Sequence, residues 1–203
     1  MKTIPGVPFA LLAALLAGCV RAPSPPPSAA LGDLPLGRVM SVGSFDHALL
    51  ARAIFEESNR VRVANGVPPL AHLAALDAAA DEQAVYMALA LAAGHASPIP
   101  RERNVEERVA NQGLHAMSVG ENAIMMPARR PADAPGGDYT YSSYAARLLN
   151  GWMNSPEHRD ILLARKFTQL GCAARLAHGF IPGDQRVFAT EVFLRPDPWP
   201  DSG

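Results

Sequence analysis

The chain has 203 residues, of which 49% are hydrophobic and 18% charged, a composition that suits one globular domain with additional terminal segments. Its formal net charge is -1 and its isoelectric point is about 6.6. No stretch is rich enough in Lys and Arg to neutralise a row of phosphates, so a nucleic-acid-binding function is excluded and no nucleic acid is expected as a partner.

The N-terminal segment has the pattern of a bacterial export signal. An apolar run over residues 9–17 is too short to span a bilayer. It overlaps Leu16-Ala-Gly-Cys19, which resembles a lipobox, the motif in which the cysteine is acylated and the chain is cleaved ahead of it. We therefore predict a signal peptide over residues 1–18 and a membrane anchor at Cys19. The type of envelope stays open, and if the cell is Gram-negative the outer membrane is expected because Val20, not Asp, follows. The alternative is an ordinary cleaved signal with an incidental cysteine.

Residues 19–43 are rich in proline and are predicted to form an extended tether between the membrane and the domain. With Cys19 acylated, Cys172 is the only other cysteine, so no intramolecular disulfide is expected. Cys172 lies in a run of alternating apolar residues. It is predicted to be a small buried hydrophobe and not a nucleophile.

The folded domain is predicted to begin near Ser44, and apolar residues at helical spacing indicate three helices in its first half. The first starts at Phe45 and runs for about five turns, and the second carries its apolar stripe over residues 73–91. Asn104, with a glutamate three residues later, resembles a capping box and opens a third, short helix that closes at Gly113.

The middle of the domain is predicted to contain one strand and two more helices. Residues 119–126 form the strand, and the segment 127–141, rich in Pro, Gly and Ala, forms an exposed loop. A fourth helix carries Trp152 on its apolar face. Ser155 can cap the next helix with a proline at its first position, which places His158 in the first turn.

Two segments with alternating apolar residues, 167–177 and 186–194, are predicted to pair as antiparallel strands. The proline-rich tail 196–203 cannot continue the second strand. Helices placed before and between a few antiparallel strands indicate an α+β domain over residues 44–195, with one sheet covered by helices.

Several short motifs follow one another in order along residues 45–195, namely Asn59-Arg-Val-Arg62, Gly66 with Pro69-Leu70, His95, Arg108 with Gly113, Gly120-Glu-Asn122, Trp152 through His158, and Phe167 with Leu170-Gly171. Their order and spacing resemble the CAP superfamily (cysteine-rich secretory, antigen-five and pathogenesis-related proteins) in its bacterial SCP-like branch. This resemblance implies a three-layer α-β-α sandwich with a central antiparallel sheet. It also implies a secreted or envelope-bound location and a cleft with two histidines and two acidic positions.

The resemblance carries over to three cleft residues. His95 and His158 match the family's cleft histidines, and Glu121 matches the glutamate of its Gly-Glu-Asn motif. Ser155 stands where many eukaryotic members have the second glutamate, so the set suits Zn²⁺ or another divalent metal at low to moderate affinity. Asn122 and Ser155 are the candidate surrounding residues. A purely structural role stays open, in which Glu121 accepts hydrogen bonds that lock the cleft.

Three functional classes are compatible with this site. The favoured one is a non-catalytic binding module that takes a lipid, sterol, peptide or envelope glycan, as the resemblance implies. The second is a metal-dependent hydrolase with Glu121 and His158 as catalytic residues, although no His-Glu-x-x-His pattern is present. A variant with Ser155 as nucleophile is disfavoured, because an N-cap oxygen turns toward backbone N–H groups. The third is a protein-docking component with an inert cleft and the loop 127–143 as the contact.

The other polar residues are given structural roles. Asn59 and Arg62 are predicted to bind the first helix to a neighbouring loop, and the charged run 101–108 is predicted to be a solvated face. The remaining histidines are predicted to be solvated and without partners: His47, His72, His115 and His178.

Overall fold

A computed structural model describes residues 36–131, 136–179, 181 and 183–198. The predicted signal peptide, Cys19 and the larger part of the tether lie outside these residues, as do residues 199–203 of the tail. Among the helices that the structure describes, none combines the length and the apolar character needed to cross a bilayer.

The described chain packs onto the domain ahead of Ser44. Met40 is buried, and its backbone N–H donates a hydrogen bond of 2.7 Å to the carbonyl oxygen of Tyr139. A short 3₁₀ helix, Val42–Ser44, follows and leads into the first α-helix. The last residues of the predicted tether are therefore part of the folded domain.

The predicted helices and long strands are all present. In chain order the elements are α1 (His47–Ala64), β1 (Ala71–His72), α2 (Ala74–Ala90), α3 (Val105–Asn111), β2 (Ala116–Pro127), α4 (Tyr141–Asn154), α5 (Pro156–Leu162), β3 (Gln169–His178) and β4 (Gln185–Pro196). Only β1 was not predicted, because a strand of two residues has no periodic pattern to recognise.

Local side chains and backbone geometry set the helix ends. The Asp46 carboxylate caps α1 by accepting a hydrogen bond of 3.0 Å from the backbone N–H of Leu49. Asn104 caps α3 as predicted, accepting from the backbone N–H of Glu107 at 2.8 Å. The C-cap of the second helix is Leu91, which adopts the left-handed conformation with φ of 53°.

The sheet has the strand order β1-β3-β4-β2. The three long strands are antiparallel, as predicted, and the short β1 adds a parallel pair with β3. Helices α1 and α4 pack on one face of the sheet, and α2 and α3 pack on the other. The predicted α+β architecture with a three-layer α-β-α arrangement is confirmed, with a sheet that is mixed at one edge.

The core forms on both faces because side chains of a strand point alternately to its two sides. In β4, Phe193 packs in the cluster beneath α1 and α4, and the adjacent Val192 packs beneath α2. Trp152 of α4 is completely buried in the larger cluster. Cys172 is 1% exposed and has its thiol in the same cluster, which confirms its prediction as a buried hydrophobe.

Candidate functional site

The Gly-Glu-Asn motif lies in β2, the edge strand of the sheet opposite β1. Because neighbouring residues of a strand face opposite sides, its two polar side chains reach different layers. Glu121 meets Arg108 of α3 and His95 of the segment after α2. Asn122 points to the other face, where its amide donates to the backbone carbonyl of His158. The candidate site therefore extends across the edge of the sheet.

The Glu121 carboxylate is buried, with 3% of its side chain exposed. Its Oε1 lies 2.9 Å from Nδ1 of His95, and its Oε2 accepts a hydrogen bond from Nη2 of Arg108. Both carboxylate oxygens thus have a charged or polar partner. Such a carboxylate is fixed in position and orients the ring that it contacts.

Arg108 is the residue of this site that the sequence interpretation placed wrongly. The run 101–108 was predicted to be a solvated face, but Arg108 is fully buried and also donates to the carbonyl oxygen of Glu102 at 2.9 Å. Its position is set by helical spacing, since it follows Val105 by three residues and precedes the buried Val109. The neighbouring Arg103 remains exposed, as predicted for this run.

The two cleft histidines come close together although they belong to different layers. Their ring centroids are 6.2 Å apart with an angle of 47° between the ring planes. His95 has 56% of its side chain exposed, and His158, in the first turn of α5 as predicted, is half-buried. His95 uses Nδ1 toward Glu121, so its Nε2 is the nitrogen left for a ligand.

Opposite effects act on the pKa values of the two rings. The hydrogen bond with Glu121 raises the pKa of His95 above its ordinary 6.5. Burial lowers the pKa of His158, and the charge of His95 lowers it further. As the pH falls, His95 is therefore the first of the two rings to take up a proton.

We expect His95→Ala to leave the fold intact and to cost stability only in mild acid. The raised pKa of His95 means that its pairing with Glu121 stabilises the fold fully below pH 6.5. This contribution is lost as the pH rises through the higher folded-state pKa. Melting temperatures of both proteins, measured from mild acid to mild base, should converge with rising pH. His178→Ala controls for loss of an exposed imidazole, and a pH-independent difference for His95→Ala would mean that His95 contributes through packing alone.

Ser155 lacks the capping bond that was predicted for it, whereas Asn122 bonds to the backbone next to the cleft. Ser155 precedes α5 at the N-cap position, but its hydroxyl makes no capping hydrogen bond, so the argument that capping ties it up is wrong. Among the described residues, that hydroxyl makes no hydrogen bond to His158 either. Asn122 is completely buried. Its side-chain amide fixes the turn that carries His158 by donating a hydrogen bond to the backbone carbonyl of His158.

A buried carboxyl group beneath this turn was not predicted at all. Glu191 of β4 is fully buried, lies within hydrogen-bond distance of Ser58 of α1, and accepts from Asn122 at 3.2 Å. Its position in the strand could have indicated this burial, because Glu191 lies between Ala189 and Phe193 on the core-facing side of an apolar strand.

Two of the histidines predicted to be solvated have partners. Nδ1 of His47 lies 3.1 Å from the carbonyl oxygen of Ala174, and Nε2 of His72 lies 2.6 Å from a carboxylate oxygen of Asp77. Both partners come from the packing of α1 and β1 against other elements, which chain position alone does not reveal. His115 and His178 are exposed, as predicted.

The structural roles assigned to Asn59 and Arg62 are confirmed. The amide of Asn59 bonds both the N–H and the carbonyl of Leu70. The buried Arg62 guanidinium donates to the carbonyl oxygens of Pro68, Leu162 and Ala164. These bonds join α1 to two loops.

The predicted metal set fits the geometry only in part. Within the described residues, no three His, Cys, Asp or Glu side chains are grouped closely enough to hold an ion. Glu121 is poorly placed to ligate an ion, because its side chain is 3% exposed and its two oxygens already bond to Arg108 and His95. It fits the role of a carboxylate behind a histidine ligand, which leaves the two imidazoles as candidate ligands.

Comparison with known proteins agrees with this fold. The model of the cysteine-rich secretory protein (CAP) family matches residues 55–178, more than half of the chain. An extracellular SCP-domain protein from Bacillus anthracis strain Ames is similar in structure, with a TM-score of 0.53 and 23% identity over 73% of this chain and 41% of that one. An outer surface protein from Borrelia burgdorferi has a TM-score of 0.50 and 15% identity over 73% of this chain and 93% of that one.

The chain therefore spans about two-fifths of the Bacillus protein and nearly all of the Borrelia protein. Comparison with curated proteins gave no match. At these identities the structural neighbours show the fold, and the family assignment depends on the match over residues 55–178. On that match, this chain belongs to the CAP, or cysteine-rich secretory protein, family.

Proposed function

We propose that this chain is an extracytoplasmic CAP domain, anchored to the membrane through Cys19, that acts as a non-catalytic binding module. The proposal depends on the hydrogen bonds of the Glu121 carboxylate. Its two oxygens are held by Arg108 and His95, so the carboxylate orients the cleft and is not free to activate water. The extracellular or surface location of the two similar bacterial proteins supports the location proposed here.

The same observation weighs against the hydrolase alternative. A general base must reach the proton that it removes, and Glu121 is 3% exposed beneath His95. Ser155 has no described hydrogen bond to His158 that would activate it as a nucleophile. These two observations favour a cleft that binds and orients a ligand over one in which Glu121 acts as the base or Ser155 as the nucleophile.

For the cleft itself we propose a divalent-metal site formed by His95 and His158. Glu121 would act behind His95 by accepting its Nδ1–H, which leaves Nε2 as the ligand atom. Two imidazoles with water in the other positions suit Zn²⁺. The buried guanidinium of Arg108 offsets the charge of Glu121, and this supports a modest affinity.

For a lipid or sterol we propose the groove between α3 and the start of β2. Its volume is about 500 Å³, within the range of roughly 300–1,000 Å³ found for small-molecule sites. Its apolar lining includes Val109, Leu114 and Met117, and 50% of Met117 is exposed. Glu106, Ser118 and Asp197 also line the groove, so it suits a ligand that has an apolar body and a polar group.

The metal proposal is tested by calorimetric titration of Zn²⁺ into residues 20–203, which include the whole compact unit that starts at Leu34. We expect binding that is lost in the His95→Ala/His158→Ala variant and kept in His115→Ala/His178→Ala, a control with two exposed histidines removed. Equal binding by all three proteins, or none, would contradict a metal site in the cleft.

The lipid proposal is tested with a fluorescent fatty acid and a fluorescent sterol as probes. Met117→Glu should weaken binding, because it places a charge in the apolar groove, and Leu89→Glu, at a site 79% exposed outside the groove, should not. Indifference to both variants would favour the docking alternative through the loop 127–143. Hydrolytic turnover lost with chelator and in Glu121→Gln would favour the hydrolase.

A further inference from the structure

Glu191 is a carboxyl group in the interior of the sheet that the cleft does not use. It lies in β4 between β3 and β2, opposite Cys172 on one side and Asn122 on the other, and it is 0% exposed. Its side chain faces α1, where it meets Ser58. A charged carboxylate at such a place needs a cation or several N–H donors to offset the loss of water.

The hydrogen bonds of Ser58 favour a proton on Glu191, because the one Ser58 O–H faces two acceptors and can donate to either Ile54 or Glu191. The Ser58 hydroxyl oxygen lies 2.7 Å from the carbonyl oxygen of Ile54 and within hydrogen-bond distance of Oε1 of Glu191. A serine has one O–H to donate, and the carbonyl of Ile54 has none. When Ser58 donates to Ile54, its contact with Glu191 is a hydrogen bond only if the carboxyl donates to Ser58.

Among the described residues, no cation forms a hydrogen bond or an ion pair with Glu191. Arg62 of α1 attracts a carboxylate, but its Nε and Nη1 donate to backbone carbonyls. Burial raises the pKa of the Cys172 thiol on β3 well above its usual range, so this neighbour is neutral. The charge of Arg52 on α1 affects the pKa of Cys172, and the group that β2 places against Glu191 is the neutral amide of Asn122. Burial accordingly raises the pKa of Glu191 from 4.5 to about 7.

The same network reaches the cleft through Asn122. One nitrogen, Nδ2, donates to Oε2 of Glu191 at 3.2 Å and to the backbone carbonyl of His158 at 3.1 Å. This NH₂ group has two hydrogens, one for each acceptor. Ionisation of Glu191 would draw the Asn122 amide toward the carboxylate and so change the bond to the carbonyl of His158. The turn that carries His158 is thus connected to the charge state of a carboxyl group below it.

We propose that Glu191 carries a proton in the folded domain, and that this proton, acting through Asn122, sets the position of the turn that carries His158. Glu191 is then a positioning residue and a pH-sensitive element within the sheet. This inference does not depend on the metal or the lipid proposed above.

The test compares the melting temperature of wild type with that of Glu191→Gln over pH 4.5 to 8, in residues 20–203. A pKa raised in the folded state stabilises the fold fully below 4.5, and this contribution is lost as the pH rises to about 7. Glutamine keeps the neutral form and can donate to Ser58 through its amide. The melting temperature of Glu191→Gln relative to wild type should therefore rise with pH up to about 7 and then level off.

Glu107→Gln is the matched control, because Arg103 lowers the pKa of this exposed carboxyl and no such gain with pH is expected. A melting difference for Glu191→Gln that does not change with pH would overturn the proposal.

A second measurement does not depend on the variant folding. In wild type labelled at the glutamate carboxyl carbons, one NMR resonance should titrate near pH 7, and the backbone amide of Arg159 should shift with the same midpoint. Titration of every glutamate below pH 5.5 would overturn the proposal, and an unchanged Arg159 amide would overturn the link to His158.

Discussion

Replacing Arg108 with methionine is expected to lower the free energy of unfolding by about 3–5 kcal/mol, because it leaves the buried carboxylate of Glu121 without its cation. Urea denaturation at neutral pH measures this loss. Arg103→Met is the matched control from the segment just before the same helix, since its surface ion pair with Glu107 is worth about 0–1 kcal/mol.

The double variant Arg108→Met/Glu121→Gln separates charge from packing. If the cost of Arg108→Met comes from a buried unpaired charge, neutralising Glu121 should recover a large part of it. Equal losses in Arg108→Met and Arg103→Met would show that the buried ion pair does not stabilise the fold. Failure of the double variant to recover stability would assign the loss to packing of the arginine side chain.

Trp152→Ala is expected to cost about 3–5 kcal/mol, since it removes a completely buried indole from the larger core cluster. Trp152→Phe should cost much less. Phenylalanine keeps most of the apolar volume, and the indole Nε1–H that it removes has no hydrogen-bond partner among the described residues.

The melting temperatures of Trp152→Ala, Trp152→Phe and His95→Ala, measured together, distinguish a core residue from a cleft residue. Because His95 is largely exposed, we expect its loss to lower the melting temperature far less than Trp152→Ala does. A decrease for His95→Ala as large as that for Trp152→Ala would make His95 a structural residue. That outcome would also remove the main support for a ligand at the cleft.

Helices and strands whose apolar residues recur at a regular spacing were predicted well, because the spacing shows which face is buried. The apolar stripes of α1, α2 and α4 and the alternation in β3 and β4 each involve several residues, so one exception does not hide the pattern. Capping by Asn104 was also predictable, since its partner Glu107 lies three residues away.

Arg108 and Glu191 could not be placed in the same way. Each is one charged residue at a buried position, and a charge is tolerated there only when a partner arrives from elsewhere in the chain. Glu121 comes from another element to meet Arg108, and Ser58 is 133 residues away from Glu191. The positions of both residues on their elements are compatible with burial, but spacing neither predicted that burial nor revealed these partners.

The sequence by itself determined the family, the α+β fold class and the candidate residues His95, Glu121 and His158, because ordered motifs and periodic burial are local properties of the chain. Only the tertiary structure decided what these residues touch. Packing of α3 against β2 places Arg108 on Glu121, and the edge position of β2 lets residues from two layers meet. Contacts between distant segments depend on the packing of whole elements, and this packing determines which polar groups remain free to bind a ligand.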